Sequence, residues 1–217
     1  MLNQPVVVKG WDAAARLADL GLTSEQLVRV AQRARAEAAT CTDFDARSAP
    51  GVWLWSKMLR FLREELVLGG WEMQRPRGAE LTLNRELGIK ILVTSGDKNT
   101  GSLVASPQPK NPKGPTFFDA VASNQPTLDF GPGYADPEVS VDPDFLETLE
   151  TWIVVYRSKR SGEFFLEVSK PAQIEVNGFV QWEERIVVSV PEYDRFDFAA
   201  PDTDDDAPYR LTVERLG

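Results

Sequence analysis

The residues Thr94-Ser95-Gly96-Asp97-Lys98-Asn99-Thr100-Gly101 gather small side chains, a carboxylate, an ammonium group and two glycines just after the apolar alternation Ile89, Ile91 and Val93. Backbone amides in a turn of this composition can cradle an anion, with Lys98 as the counter-charge. The spacing of glycines and lysine is not that of a phosphate-binding loop, and no helical pattern follows. The plain reading is a tight strand-to-loop turn. The functional reading is a ligand or partner surface made by Ser95, Asp97, Lys98, Asn99 and Thr100.

A second constellation is acidic. Asp97, Glu167, Glu183 and Glu184 fall in or beside segments that read as strands, and carboxylates on a sheet with a nearby lysine can hold Mg²⁺ and align a water for phosphodiester hydrolysis. In that reading Asp97, Glu167 and Glu184 are the ligands and Lys98 or Lys170 the electrostatic partner. The spacing argues against it, because Lys170 stands three residues after Glu167, on the opposite face of a strand. The simpler expectation is a wet sheet face on which Arg157, Glu183 and Arg185 pair across strands. A serine nucleophile, Ser95 activated by Lys98, has no elbow motif to support it.

What is missing narrows the chemistry further. The chain has no histidine and one cysteine, Cys41, which removes serine-histidine triads, cysteine-histidine pairs, histidine-bearing zinc sites and internal disulfides. No cofactor and no metal is expected, and a reducing, cytoplasmic compartment suits a lone thiol. No apolar run reaches the roughly 20 residues of a membrane span. The net charge of -9 disfavours nucleic acid, whose phosphates it would repel. Much of that charge is local: Glu192, Asp194, Asp197, Asp202, Asp204, Asp205 and Asp206 read as a solvated loop or, more sharply, as a DNA-mimicking or basic-partner-binding segment.

The elements that must position these groups follow from periodicity. Residues 11–20 read as a helix stopped by Gly21, and Thr23 with Gln26 forms a capping box opening a second, whose Leu27, Val30, Ala31, Ala34 and Ala38 share a face. The pair has the outline of a helix-turn-helix, although the exposed charges of the second helix are mixed in sign, which favours ordinary packing. Residues 53–68 form the longest helix, with Trp55, Met58, Leu59, Leu62 and Leu66 on its apolar side. The tryptophans at 53, 55, 71, 152 and 182 read as core rather than as the lining of a ligand cavity.

From Trp71 the pattern turns to short alternating runs. Residues 97–143 hold eight prolines and little periodicity, so this insertion is expected to be the most mobile part of the chain. Residues 144–149 make a turn of helix, and 152–156, 163–169 and 179–190 read as three strands of a meander. Asn177-Gly178 suits a two-residue hairpin turn. That turn would set Gln173 opposite Trp182 and Pro171 opposite Glu184, and would place Val180, Trp182, Glu184, Ile186, Val188 and Val190 on one core-facing side. Burying Phe164, Leu166 and Val168 on the same side then demands a bulge at Lys170 or Pro171, with Glu167 outward and Glu184 inward beside an arginine or another donor.

The fold expected is therefore α+β in a single domain of 1–217: N-terminal helices over about 10–69 packed on a mostly antiparallel sheet over 71–190, an irregular insertion at 97–143, and an acidic segment at 191–217. The function expected is that of a non-catalytic binding or regulatory protein, with another protein as partner and residues 94–101 and the following loop as the surface.

Overall fold

The computed structural model describes residues 4–76, 79–110, 143–159, 161–174 and 180–191. In chain order the elements are β1 (Val6–Val8), α1 (Trp11–Asp19), α2 (Ser24–Ala38), α3 (Ala49–Val67), β2 (Glu72–Gln74), β3 (Leu81–Asn84), β4 (Ile89–Ser95), α4 (Pro143–Thr148), β5 (Glu150–Ser158), β6 (Phe164–Ile174) and β7 (Val180–Val188). The strands form one seven-stranded sheet in the order β1-β7-β6-β5-β4-β3-β2. β5, β6 and β7 are the expected antiparallel meander, so the α+β class holds. Two parallel pairings, β1 with β7 and β4 with β5, join strands far apart in sequence.

The three N-terminal helices lie on one face. Thr23 caps α2 in both directions: its Oγ1 accepts from the Gln26 amide at 3.1 Å, and its own amide donates to Gln26 Oε1 at 2.9 Å. Replacing Thr23 with Ala is expected to cost about 1 kcal/mol in a urea titration, the usual loss of an N-cap. The buried stripe of α2 is the one its spacing predicts, Leu27, Val30, Ala31, Ala34 and Ala38. Its small side chains let α2 sit close on α3, and Arg29 and Arg33 reach across to Glu65 and Glu64 at 2.8 and 2.6 Å. These exposed basic residues of the second helix are thus committed to the neighbouring helix, as ordinary packing implies. α3 differs from its expected form in its aromatic residues. It buries Leu54, whereas Trp53 and Trp55 are 45% and 37% exposed. Trp55 instead donates its indole N–H to the Val93 carbonyl of β4 at 3.1 Å. Trp71, Trp152 and Trp182 are core, as expected.

The sheet is apolar on both faces. Ile89, Ile91, Val93, Trp152, Val154, Tyr156, Phe164, Leu166, Val168, Ile186 and Val188 pack under the helices. Leu81, Leu83, Leu92, Ile153, Val155, Val180 and Trp182 pack on the other side with Leu146 and Leu149 from the α4 region. Here Lys90 is buried and donates to the Leu146 carbonyl at 2.7 Å. Burial holds the Lys90 ammonium below the usual lysine range.

The expected irregularity at Lys170/Pro171 is present, in a form that changes the faces. Lys170 pairs with Glu184, Pro171 with Trp182 and Gln173 with Gln181, so Glu183 is first an extra residue on β7 and Ala172 then an extra one on β6. The extra Glu183 reverses the alternation of β7. Glu184, Ile186, Val188 and Val190 face the helices, while Val180 and Trp182 belong to the opposite core, so the expectation that all six share one side is corrected. On both sides of the two insertions the pairing stands one residue away from the expected register, so Gln173 does not face Trp182 and Pro171 does not face Glu184. Asn177-Gly178 lies outside the described residues. Phe164, Leu166 and Val168 are buried as expected, and Glu184 has its arginine: Arg16 of α1 donates through Nε at 2.7 Å and through Nη2 at 3.0 Å. That bond raises the Arg16 pKa further above its ordinary value.

Candidate functional site

Residues 96–110 leave β4 and fold back over the second face of the sheet, and almost every polar group in the turn has a partner. Gly96 N–H donates to the Tyr156 carbonyl, Asp97 N–H to Gln108 O and Lys110 N–H to Ser95 O, so the return segment pairs with the extension of β4. Asp97 Oδ1 accepts from Asn99 N–H at 3.0 Å. Thr100 donates to the Asp97 carbonyl through both N–H and Oγ1. Ser102 N–H donates to Asn99 O. The side chains that made this string look chemical hold the turn together, because short polar side chains bond most readily to nearby backbone.

The anion cradle expected of this turn exists in a different form. One of its amides, that of Gly101, is aimed at an anion, and that anion is the carboxylate of Glu167, at 3.0 Å from Oε2. Glu167 was expected to face outward, and it does leave the helix-covered face. The folded-back loop nevertheless buries it to 0% exposure, by laying the Gly101 amide and the Ala105 carbonyl over Glu167 and its partner Arg185. Arg185, 1% exposed, clamps the same carboxylate through Nε at 3.1 Å and Nη2 at 2.5 Å, and Ser169 Oγ adds a bond at 2.9 Å. The remaining arm of Arg185 donates to the Ala105 carbonyl at 3.0 Å. A buried guanidinium and carboxylate, two carbonyl or hydroxyl partners and a loop amide therefore satisfy one another.

Four further bonds tie the loop down. Arg157 Nη1 donates to Lys98 O at 3.1 Å, Trp182 Nε1 to Pro107 O at 2.8 Å, and Gln108 exchanges two bonds with the Val180 backbone at 2.7 and 3.0 Å. The first part of the insertion, 97–110, is thus anchored rather than loose, contrary to what its prolines suggested. Residues 111–142 lie outside the described residues.

The structure does not bring the acidic constellation together. Glu167 is under the loop, Glu184 is on the helix face with Arg16, Glu183 is exposed beside Lys170 at 3.3 Å, and Asp97 caps its own turn. Nor do Arg157, Glu183 and Arg185 form the expected cross-strand set, since Arg185 takes Glu167. No hydrogen bond joins Ser95 to Lys98 among the described residues, and no group of three His, Cys, Asp or Glu side chains there could hold a metal ion. Millimolar Mg²⁺ is accordingly expected to leave the melting temperature of the protein unchanged, where a carboxylate site of matching affinity would raise it by mass action. The acidic residues 192–206 lie outside the described residues. No helix among the described residues is long and apolar enough to cross a membrane.

What sequence reasoning missed is the outward face of the loop. Ser102 Oγ accepts from the amides of Val104 and Ala105 at 3.2 and 3.1 Å, and this turn pushes Leu103 and Val104 into solvent, 46% and 93% exposed. The available signal was two adjacent branched aliphatics inside a polar stretch. Lys98 is exposed on the same loop and has no ion pair among the described residues. The chain matches no family model, and no curated protein or solved structure is significantly similar to it.

Proposed function

We propose that this is a non-catalytic binding protein that engages another protein through the outer surface of residues 95–110. Leu103 and Val104 are the apolar contact and Lys98 is its charged neighbour. The observation that carries this reading is the combination of an exposed aliphatic pair with a backbone locked from below by Glu167, Arg185, Arg157 and Trp182. Solvent gains nothing from such a pair, and a contact made by a pre-ordered loop loses little conformational entropy on binding. Asp97, Asn99 and Thr100 serve this surface by holding its shape. The single cysteine fits a reducing, cytoplasmic setting.

The test is a comparison of wild type with Leu103→Asp/Val104→Asp, each tagged and purified from the native host. The double variant touches only exposed positions, so its stability is expected to stay within about 0.5 kcal/mol of wild type. Proteins recovered specifically with wild type should fall at least about tenfold, which corresponds to the roughly 1.4 kcal/mol of one modest contact. Recovery of the same proteins in equal amounts by the folded variant would overturn this reading.

A further inference from the structure

We propose that two copies of this chain associate through the outward face of the first two turns of α3, helix against helix across a two-fold axis. This goes beyond binding through Leu103 and Val104 and does not depend on it. The body of the molecule covers only one side of α3 where the helix begins. Leu54, Met58, Leu59, Phe61 and Leu62 are buried, while Gly51, Val52, Trp53, Trp55 and Ser56 are exposed. At about 100° per residue, Val52 and Ser56 lie in the middle of the outward face, with Trp55 on one flank and Trp53 on the other. Residues 42–48, leading into the helix, are exposed throughout and bring the Phe44 ring to the same end.

Both indole rings are held in place within the single chain. Trp55 donates its N–H to the Val93 carbonyl at 3.1 Å, and the Lys57 ammonium stands over Trp53 at 5.3 Å from the ring centre. The two residues still leave 37% and 45% of their surface in water, beside Val52 at 56%. That is on the order of 300 Å² of apolar surface per copy, since a fully covered aromatic side chain buries roughly 150 to 250 Å². Tryptophans are enriched among the residues that carry the energy of protein contacts, and rings already fixed in the free chain lose little freedom on binding.

Charge indicates what covers them. The chain carries a net charge of -9, so two copies repel over most of their surface. Residues 49–61 hold no carboxylate, and their two cations are answered within the chain, Lys57 by Glu37 at 2.9 Å and Arg60 by Glu64 at 2.8 Å. A two-fold axis sets each surface against its own copy, which a charged face resists and a neutral apolar face permits. An acidic partner is repelled by the rest of the chain, and a basic one is drawn to its carboxylates rather than to this helix. The surface therefore fits a second copy best. A patch of this size belongs with small, reversible interfaces, so the dissociation constant is expected at about 1 to 100 µM.

Sedimentation velocity of the intact protein tests this. The mass is expected to rise from the 24.2 kDa of one chain toward twice that value between about 1 and 500 µM. Association should tighten severalfold between about 0.05 and 0.5 M NaCl, because salt screens the repulsion of two acidic bodies and leaves an apolar contact intact. Val52→Glu, or Ser56→Glu should the first variant fail to fold, sets two carboxylates against each other near the axis. Either is expected to weaken association at least about tenfold with an unchanged urea midpoint. Leu103→Asp/Val104→Asp is expected to associate as wild type does, which separates this contact from the loop surface. The inference is wrong if the mass stays at one chain up to about 500 µM, if association weakens with salt, if a folded glutamate variant associates undiminished, or if Leu103→Asp/Val104→Asp abolishes it.

Discussion

Glu167→Ala is expected to lose about 3 to 5 kcal/mol of folding stability, the penalty of stripping one partner from a buried ion pair. Both groups are shut off from water, at 0% and 1% exposure, so the Arg185 guanidinium would remain in an apolar setting with no carboxylate to answer it. The Gly101 amide and the Ser169 hydroxyl would lose their acceptor in the same change. Domains of ordinary stability have only about 5 to 15 kcal/mol in total, so the loss should be plain as a lower urea midpoint. The loop should feel it first: amide exchange at Gly101 is expected to accelerate more than exchange in the strands. Glu167→Leu/Arg185→Met is expected to be much less damaging than Glu167→Ala, because removing both charges also removes the uncompensated one. A loss below about 1 kcal/mol for Glu167→Ala would mean that water reaches the pair and that the loop is not clamped by it.

Gly96→Ala is expected to cost about 2 to 3 kcal/mol, at the upper end of ordinary overpacking. A methyl group at this position would lie 2.3 Å from Thr100 Oγ1 and 2.6 Å from Val155 Cγ1, well inside van der Waals contact. Neither neighbour can give way freely. Thr100 is tied to the Asp97 carbonyl, and Val155 lies in a central strand between β4 and β6. Gly96 therefore permits the loop to turn back closely over the sheet, for reasons of space rather than of backbone angle. Gly101 meets a different demand: its φ of +75° is a region that side chains disfavour, and a Cβ there would approach Phe165 to 3.1 Å. The check is a double-mutant cycle. Gly96→Ala with Val155→Ala should be less destabilised than the sum of the two single variants, because the second change makes room for the first. Strict additivity would place the strain elsewhere.

The elements whose cause is local were legible in the chain. The capping box at Thr23 and Gln26 and the helical spacing from Leu27 to Ala38 act over one or two turns, and α2 has the boundaries and the buried face they imply. The bulge near Pro171 was legible for the same reason, since proline cannot donate to a ladder wherever the strand lies. The need of Glu184 for an arginine followed from desolvation alone, although its provider, Arg16, is 168 positions away.

What depended on distant pairing was not legible. The short strands β1, β2 and β3 have little periodicity of their own, and β1 becomes a strand through its parallel pairing with β7. The face of Trp182 turned on which strand carries the extra residue at that bulge, Glu183 of β7 rather than Lys170 or Pro171 of β6, and no local residue preference announces that. In the candidate site, sequence singled out the turn at 95–101 but mistook what its groups do. An aspartate, an asparagine and a threonine read the same whether they meet a ligand or their own backbone. Only the folding of residues 96–110 over β6 and β7, which brings Gly101 to Glu167 and Ala105 to Arg185, decides that they are structural and that the outward residues are Leu103 and Val104. Composition and short-range spacing thus determined the helices, the α+β class and the place of the turn. The burial of Glu167 and Arg185 was settled by tertiary structure, because a charge can leave water only where the rest of the chain has already assembled its partners.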